Sequence, residues 1–228
     1  GKSFIPLIMG FGCNVPSVYA TRVLESERDR RLTALLIPLV SCSARLPVYG
    51  VFAGLFFPSN AGTVIWILYM LGLVLALFVG VILSKTIFRK EQPLFIMELP
   101  PYRLPTLLHL WIHSWEKAKH FVVKAGTYIM AASVLIWFLF HFPWGVEDKH
   151  YSYLGQLGQF ISPVLAPLGF GFWQAGAALI TGVVAKEVVV STLGNLGDMQ
   201  IILPTLFTPL SAFSFMVFVL LYMPCVVV

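Results

Sequence analysis

Three thiols lie where an apolar chain is locally prevented from forming a regular helix. Cys13 sits in Gly10-Phe11-Gly12-Cys13-Asn14-Val15-Pro16, Cys42 in Pro38-Leu39-Val40-Ser41-Cys42-Ser43-Ala44-Arg45-Leu46-Pro47, and Cys225 in Tyr222-Met223-Pro224-Cys225. Cysteine sulfur, with methionine and backbone oxygen nearby, prefers soft or borderline cations such as Fe2+, Zn2+ or Cu+ over Mg2+ or Ca2+. Residue types alone do not choose among those metals. The wide spacing fits neither a disulfide framework nor a zinc ribbon. The plain alternative is that each thiol is a small core hydrophobe. Charged groups share these surroundings: Arg45 lies between two prolines, and Lys186-Glu187 interrupts a run of valines. Ionisable groups at membrane depth are expensive and are functional by default. Arg45 needs an acidic or carbonyl partner, and Lys186 with Glu187 is either a structural pair or part of an ion path. His109, His113 and Glu116 form a further cluster at helical spacing, which fits a metal site or a solvated polar face.

The elements that carry these residues are apolar runs at 4–20, 32–57, 62–84, 121–142, 173–195 and 205–228, each near the roughly 20 residues that cross a hydrocarbon core. Only 62–84 has neither charge nor proline, and it reads as a plain lipid-facing span. The first run holds Pro6, Gly10, Gly12 and Pro16, which remove backbone hydrogen bonds and permit bends. Broken backbone at membrane depth is tolerated only where it is buried in protein or lines a wet cavity. Transporters place their substrate sites at such breaks. Pro224-Cys225 sets the last run in a similar local context, as a duplicated, inverted core would.

Composition supports the same class. Hydrophobic residues make up 58% and charged residues 11% of the 228, against about 25% charged in soluble domains, so a water-soluble globule could not cover itself. A net charge of +5 with this hydrophobicity is the reverse of the disordered signature. The expected fold is all-α, a polytopic helical membrane domain with broken helices and an interfacial amphipathic helix. Gly1-Lys2-Ser3 lacks the upstream glycine and strand of a phosphate-binding loop. Because Gly1 opens inside a hydrophobic pattern and Val228 closes one, a piece of a longer chain is expected.

Basic residues concentrate in 21–31 and 85–124, which places 21–31 and 85–120 in the cytoplasm and 58–61 and 143–160 outside. By parity 196–204 is cytoplasmic. Within 85–120, Glu98-Leu99-Pro100-Pro101-Tyr102-Arg103-Leu104-Pro105 is extended and proline-fixed. After Pro105, Leu108, Trp111, Trp115, Ala118 and Val122 share one face, opposite His109, His113, Glu116 and His120, the pattern of a helix lying on the membrane surface.

Several blocks, in order, resemble the FeoB-type ferrous iron transporters of bacteria: Gly12-Cys13-Asn14-Val15-Pro16-Ser17, Ala20-Thr21-Arg22-Val23-Leu24-Glu25, Arg28-Asp29-Arg30-Arg31-Leu32-Thr33, Ser41-Cys42-Ser43-Ala44-Arg45-Leu46-Pro47, Phe95-Ile96-Met97-Glu98-Leu99-Pro100, Gly182-Val183-Val184-Ala185-Lys186-Glu187-Val188-Val189 and Tyr222-Met223-Pro224-Cys225. The likeness spans essentially the whole chain. It implies a multi-pass, Gate-containing domain of the bacterial inner membrane that carries Fe2+, as substrate, into the cytoplasm. It implies a first gate region in 1–84 with two full spans, a cytoplasmic connection over 85–120, and further spans with the start of a second gate in 121–228. Cys13 and Cys225 are the implied metal contacts. Asn14, Cys42, Arg45, Lys186, Glu187 and Met223 are their gate and charge neighbours. The family also carries a GTP-binding domain, where GTP and Mg2+ act; its motifs are not in this sequence, so the chain itself is not expected to be an enzyme. Implied partners are the lipid bilayer, that GTP-binding domain, a small cytoplasmic accessory protein and further copies of the chain, with no nucleic acid. Three rivals stand beside this reading: a gate-type transporter of organic solutes such as nucleosides, a membrane enzyme using His109, His113 and Glu116, and a scaffold for a partner.

Overall fold

A computed structural model describes residues 3–88, 106–142, 149–195, 199–222 and 225. Met223, Pro224, the 95–100 block and the proline-rich 98–105 segment lie outside the described residues. Every regular element described is helical. The first run divides into α1 (Phe4–Gly10) and α2 (Asn14–Ala20), with Cys13 extended between them at φ −147°, ψ 132°. Ser26 caps α3 (Glu27–Leu36) by accepting the Asp29 amide, and Glu27 and Asp29 suit the positive end of that helix. Pro38 terminates it through a short 3₁₀ turn, and α4 (Leu46–Phe56) restarts with Pro47 in its first turn, where no amide is lost. As expected, α5 (Ala61–Lys85) is unbroken.

Three stretches are long and apolar enough to cross a membrane: Glu27–Phe56, Ala61–Lys85 and Leu107–His141. Two bent pairs qualify only when each is taken as one span. They are α7 (Tyr153–Leu165, extended by a 3₁₀ turn to Leu168) with α8 (Trp173–Val184), bent by 104°, and α10 (Met199–Leu206) with α11 (Pro209–Leu221), bent by 101°.

Three expectations change. Run 4–20 is not one crossing, because its two helices have seven residues each. Run 173–195 is not continuous: α8 stops at Val184, Ala185 is extended, and α9 (Val188–Asn195) starts anew. The surface helix and the 121–142 span are one helix, α6 (Leu107–His141), of 35 residues or about 52 Å, against a hydrocarbon core of about 30 Å. No proline interrupts it, Gly126 has open space around it, and the Thr127 hydroxyl bonds back to the Val123 and Lys124 carbonyls. Residues 106–120 are all exposed, so nothing in the described fold covers the Trp111 and Trp115 face.

The core is aromatic. Phe52 packs against Phe215 and Phe207 with ring centroids 5.0 and 5.2 Å apart, and Phe170 closes on Phe215 at 5.3 Å, joining α4 to α11 and to the turn after α7. Thr208 and Ser211 form a reciprocal capping box at the start of α11. Thr208→Ala should cost about 1 kcal/mol, read as a lower midpoint in thermal unfolding of the detergent-solubilised protein.

A convergence of helix interruptions

Four helix interruptions meet in pairs. At each, the chain leaves the helical conformation at an extended residue: Cys13, Cys42 (φ −85°, ψ 162°), Ala185 (φ −150°, ψ 127°) and Tyr222 (φ −70°, ψ 168°). Such residues free backbone groups that need partners. The Gly12 carbonyl receives the Ser43 amide at 3.2 Å and the Ser43 hydroxyl at 2.7 Å, tying the first break to the second. The other two cross-brace. The Lys186 ammonium donates to the Val219 and Tyr222 carbonyls at 3.1 and 3.3 Å, while the Cys225 thiol donates to the Val184 carbonyl at 2.8 Å. Val48 and Tyr49 of α4, Val189 of α9 and Val219 of α11 share one buried core, which brings the two pairs into the same region. The breaks therefore form one cluster.

The candidate residues differ in access. Cys13 is exposed, Cys225 is partly buried and Cys42 is buried, with no disulfide among the described residues. Asn14 is 5% exposed, and its Oδ1 has no hydrogen-bond partner among the described residues. Arg45 is fully buried and forks onto the Pro38 and Val40 carbonyls at 2.8 and 3.0 Å. Lys186 is 2% exposed, whereas Glu187 beside it is exposed. Met223 lies outside the described residues.

The partners of the buried cations are carbonyls, not a carboxylate. Among the described residues no ion pair joins Glu187 to Lys186 or Arg45. Burying a carboxylate as well would add a second desolvation cost. A helix C-terminus already presents unpaired carbonyls and the negative end of its dipole. Lys186 uses the end of α11 in this way, and its Nζ also lies 3.8 Å from the centre of the Tyr222 ring. The sequence reading gave no role to Tyr222, Ser43 or the Val219 carbonyl. Gly182 was the available signal for Tyr222: a Cβ there would overlap the Tyr222 hydroxyl, so the ring lies against α8 where the helix has no side chain.

Chemically, the cluster offers thiols, an amide oxygen and backbone carbonyls. Among the described residues, no three His, Cys, Asp or Glu side chains form a ready metal cage. On α6, His109 and His113 stack with centroids 6.4 Å apart on an exposed face, and no third ligand joins them among the described residues.

Comparison with known proteins gives two family matches. The Gate family, described as "Nucleoside recognition", matches residues 1–56 and 122–228, and the family described as "Ferrous iron transport protein B C terminus" matches residues 65–117. A Staphylococcus aureus protein named "Fe(2+) transporter FeoB" is 50% identical over 99% of this chain and 35% of its own length. A Campylobacter jejuni protein of the same name is 43% identical over 99% of this chain and 40% of its own. A Porphyromonas gingivalis protein named "Fe(2+) transport protein A/Fe(2+) transporter FeoB fusion protein" is 41% identical over 99% of this chain and 33% of its own. The chain thus spans between a third and two-fifths of the length of these relatives. No solved structure matches it.

Proposed function

Since the chain belongs to the Gate family and, within it, to the FeoB-type ferrous iron transporters, we propose that its interrupted helices line the passage by which Fe2+ enters the cytoplasm. The observation that carries this reading is that four extended interruptions are tied in pairs, the break at Cys13 to the break at Cys42 through the Gly12 carbonyl and the break at Ala185 to Cys225 through the Val184 carbonyl. Sulfur suits a borderline cation such as Fe2+ better than Mg2+ or Ca2+. Cys13, the exposed thiol of the three, is the soft ligand of the first gate. Asn14 Oδ1, an acceptor without a partner among the described residues, stands beside it, and Cys225 with the Val184 carbonyl stands further along. Cys42 and Arg45 brace the first gate, Glu187 supplies an exposed carboxylate beside Lys186, and Met223, two positions before Cys225 in sequence, offers a second soft ligand.

The wider setting follows the family resemblance of the sequence blocks. The domain lies in a bacterial inner membrane and works with a GTP-binding domain of the same protein, where GTP and Mg2+ act. A small accessory protein serves the same system, which the fusion relative's name supports.

In cells carrying the complete transporter, Cys13→Ser is expected to lower Fe2+ uptake roughly tenfold, about 1.4 kcal/mol of barrier, through loss of a soft ligand. Unchanged uptake at normal expression would remove Cys13 from the passage.

A second reading is carriage of an organic solute, favoured by the buried Asn14 Oδ1 and Tyr222 hydroxyl, which have no hydrogen-bond partner among the described residues and could bond a nucleoside. Competition decides between the two: excess nucleoside leaves Fe2+ uptake unchanged if the passage is for metal and blocks it if the solute shares the site.

A further inference from the structure

Lys186 is a buried cation for which the passage, as proposed, has no evident need. Its ammonium lies 3.1 Å from the Val219 carbonyl, 3.3 Å from the Tyr222 carbonyl and 3.8 Å from the centre of the Tyr222 ring. All three belong to the C-terminal end of α11, where unpaired carbonyls and the helix dipole concentrate negative potential. No carboxylate pairs with it among the described residues. Three residues past Tyr222, the Cys225 thiol is bonded to the Val184 carbonyl, two residues before Lys186. Each broken element therefore holds the end of the other.

A positive charge at this spot does what a bound metal ion would do: it neutralises the end of α11 and occupies its carbonyls. Resting on the Fe2+ passage reading, we propose that Lys186 is a tethered stand-in for the transported cation, holding the end of α11 and Cys225 in place until an arriving dication displaces it. The displacement is electrostatic. A dication that takes Cys225 as thiolate, with the thiol proton released to water, adds one net positive charge near the ammonium in a low-dielectric site, where like charges repel strongly. Once pushed off, Lys186 releases Val219 and Tyr222, and the end of α11 is free to move with the ion. Lys186 is thus a positioning residue that touches the ion only through the carbonyls it yields. The exposed Glu187 next to it gives the displaced ammonium a carboxylate to approach.

The test uses the complete transporter in lipid nanodiscs under anaerobic conditions, with two labels read by mass spectrometry. N-ethylmaleimide reports the reactivity of Cys225, and reductive methylation reports that of Lys186. Lys186→Met removes two charge-assisted hydrogen bonds and should raise Cys225 alkylation roughly tenfold, whereas Lys186→Arg should stay near wild type. Equal alkylation in wild type, Met and Arg variants would overturn the proposal. The wild-type protein gives an independent reading that needs no variant to fold: adding Fe2+ should protect Cys225 and raise Lys186 methylation severalfold. Cys225 protected with Lys186 unmoved sinks the stand-in alone. Cys225 unprotected by Fe2+ sinks the passage reading itself, and displacement with it.

Discussion

Arg45→Ala is expected to destabilise the folded protein by about 3–5 kcal/mol, the range for breaking one side of a buried charge interaction. The guanidinium is fully buried and holds the Pro38 and Val40 carbonyls, which the break after α3 leaves without helical partners. Alanine would orphan both carbonyls and leave a cavity where a long side chain had packed, and each effect is costly by itself. Arg45→Lys should fall between, because an ammonium on a flexible stem does not reproduce the planar fork that reaches two carbonyls at once. Thermal unfolding of the detergent-purified protein, followed by loss of the monodisperse species, measures both. A melting temperature unchanged in the alanine variant would mean that the carbonyls of the second interruption are satisfied by some other group.

Gly176→Val should cost about 3 kcal/mol or more, the upper end of overpacking. A Cβ on Gly176 would lie 2.5 Å from the Gly158 carbonyl oxygen and 3.0 Å from the Gly158 Cα. One on Gly158 would overlap the Trp173 carbonyl oxygen and lie 2.9 Å from the Ala177 amide nitrogen. Each obstacle is backbone, which no rotamer change can move aside, so α7 and α8 would have to separate. Gly126→Ala is the matched control: nothing lies within 4 Å of its Cβ, and alanine is favoured over glycine in a helix by roughly 1 kcal/mol. The same unfolding assay should show a large loss for the first and none for the second. Equal behaviour would place the α7–α8 contact elsewhere.

The breaks at Cys13 and Cys42 were legible because proline and glycine act on the backbone locally, whatever surrounds them. The unbroken α5 was legible for the complementary reason. The interruption at Ala185 was not, since nothing between Val183 and Val190 forbids a helix. That break is tertiary in origin, and what it achieves is to bring Lys186 to carbonyls 33 and 36 residues further along. The continuity of α6 escaped for a related reason: a change from amphipathic to apolar pattern marks where surroundings change, not where backbone bonds stop. At the site, the sequence marked Arg45 and Lys186 as groups that must be paid attention by some partner, but partner identity depends on which helix ends meet. Carbonyls are present in every residue and leave no trace in composition.

The mutual satisfaction of the breaks also bears on how the chain is made. Arg45 finds its carbonyls five and seven residues back, so that corner can close as soon as it emerges. The Gly12 carbonyl must wait for Ser43, and Lys186 must wait for the last turn of α11. Until the end of α11 has been made, the Lys186 ammonium lacks the two carbonyls that hold it in the folded domain, and this corner is therefore the last to close.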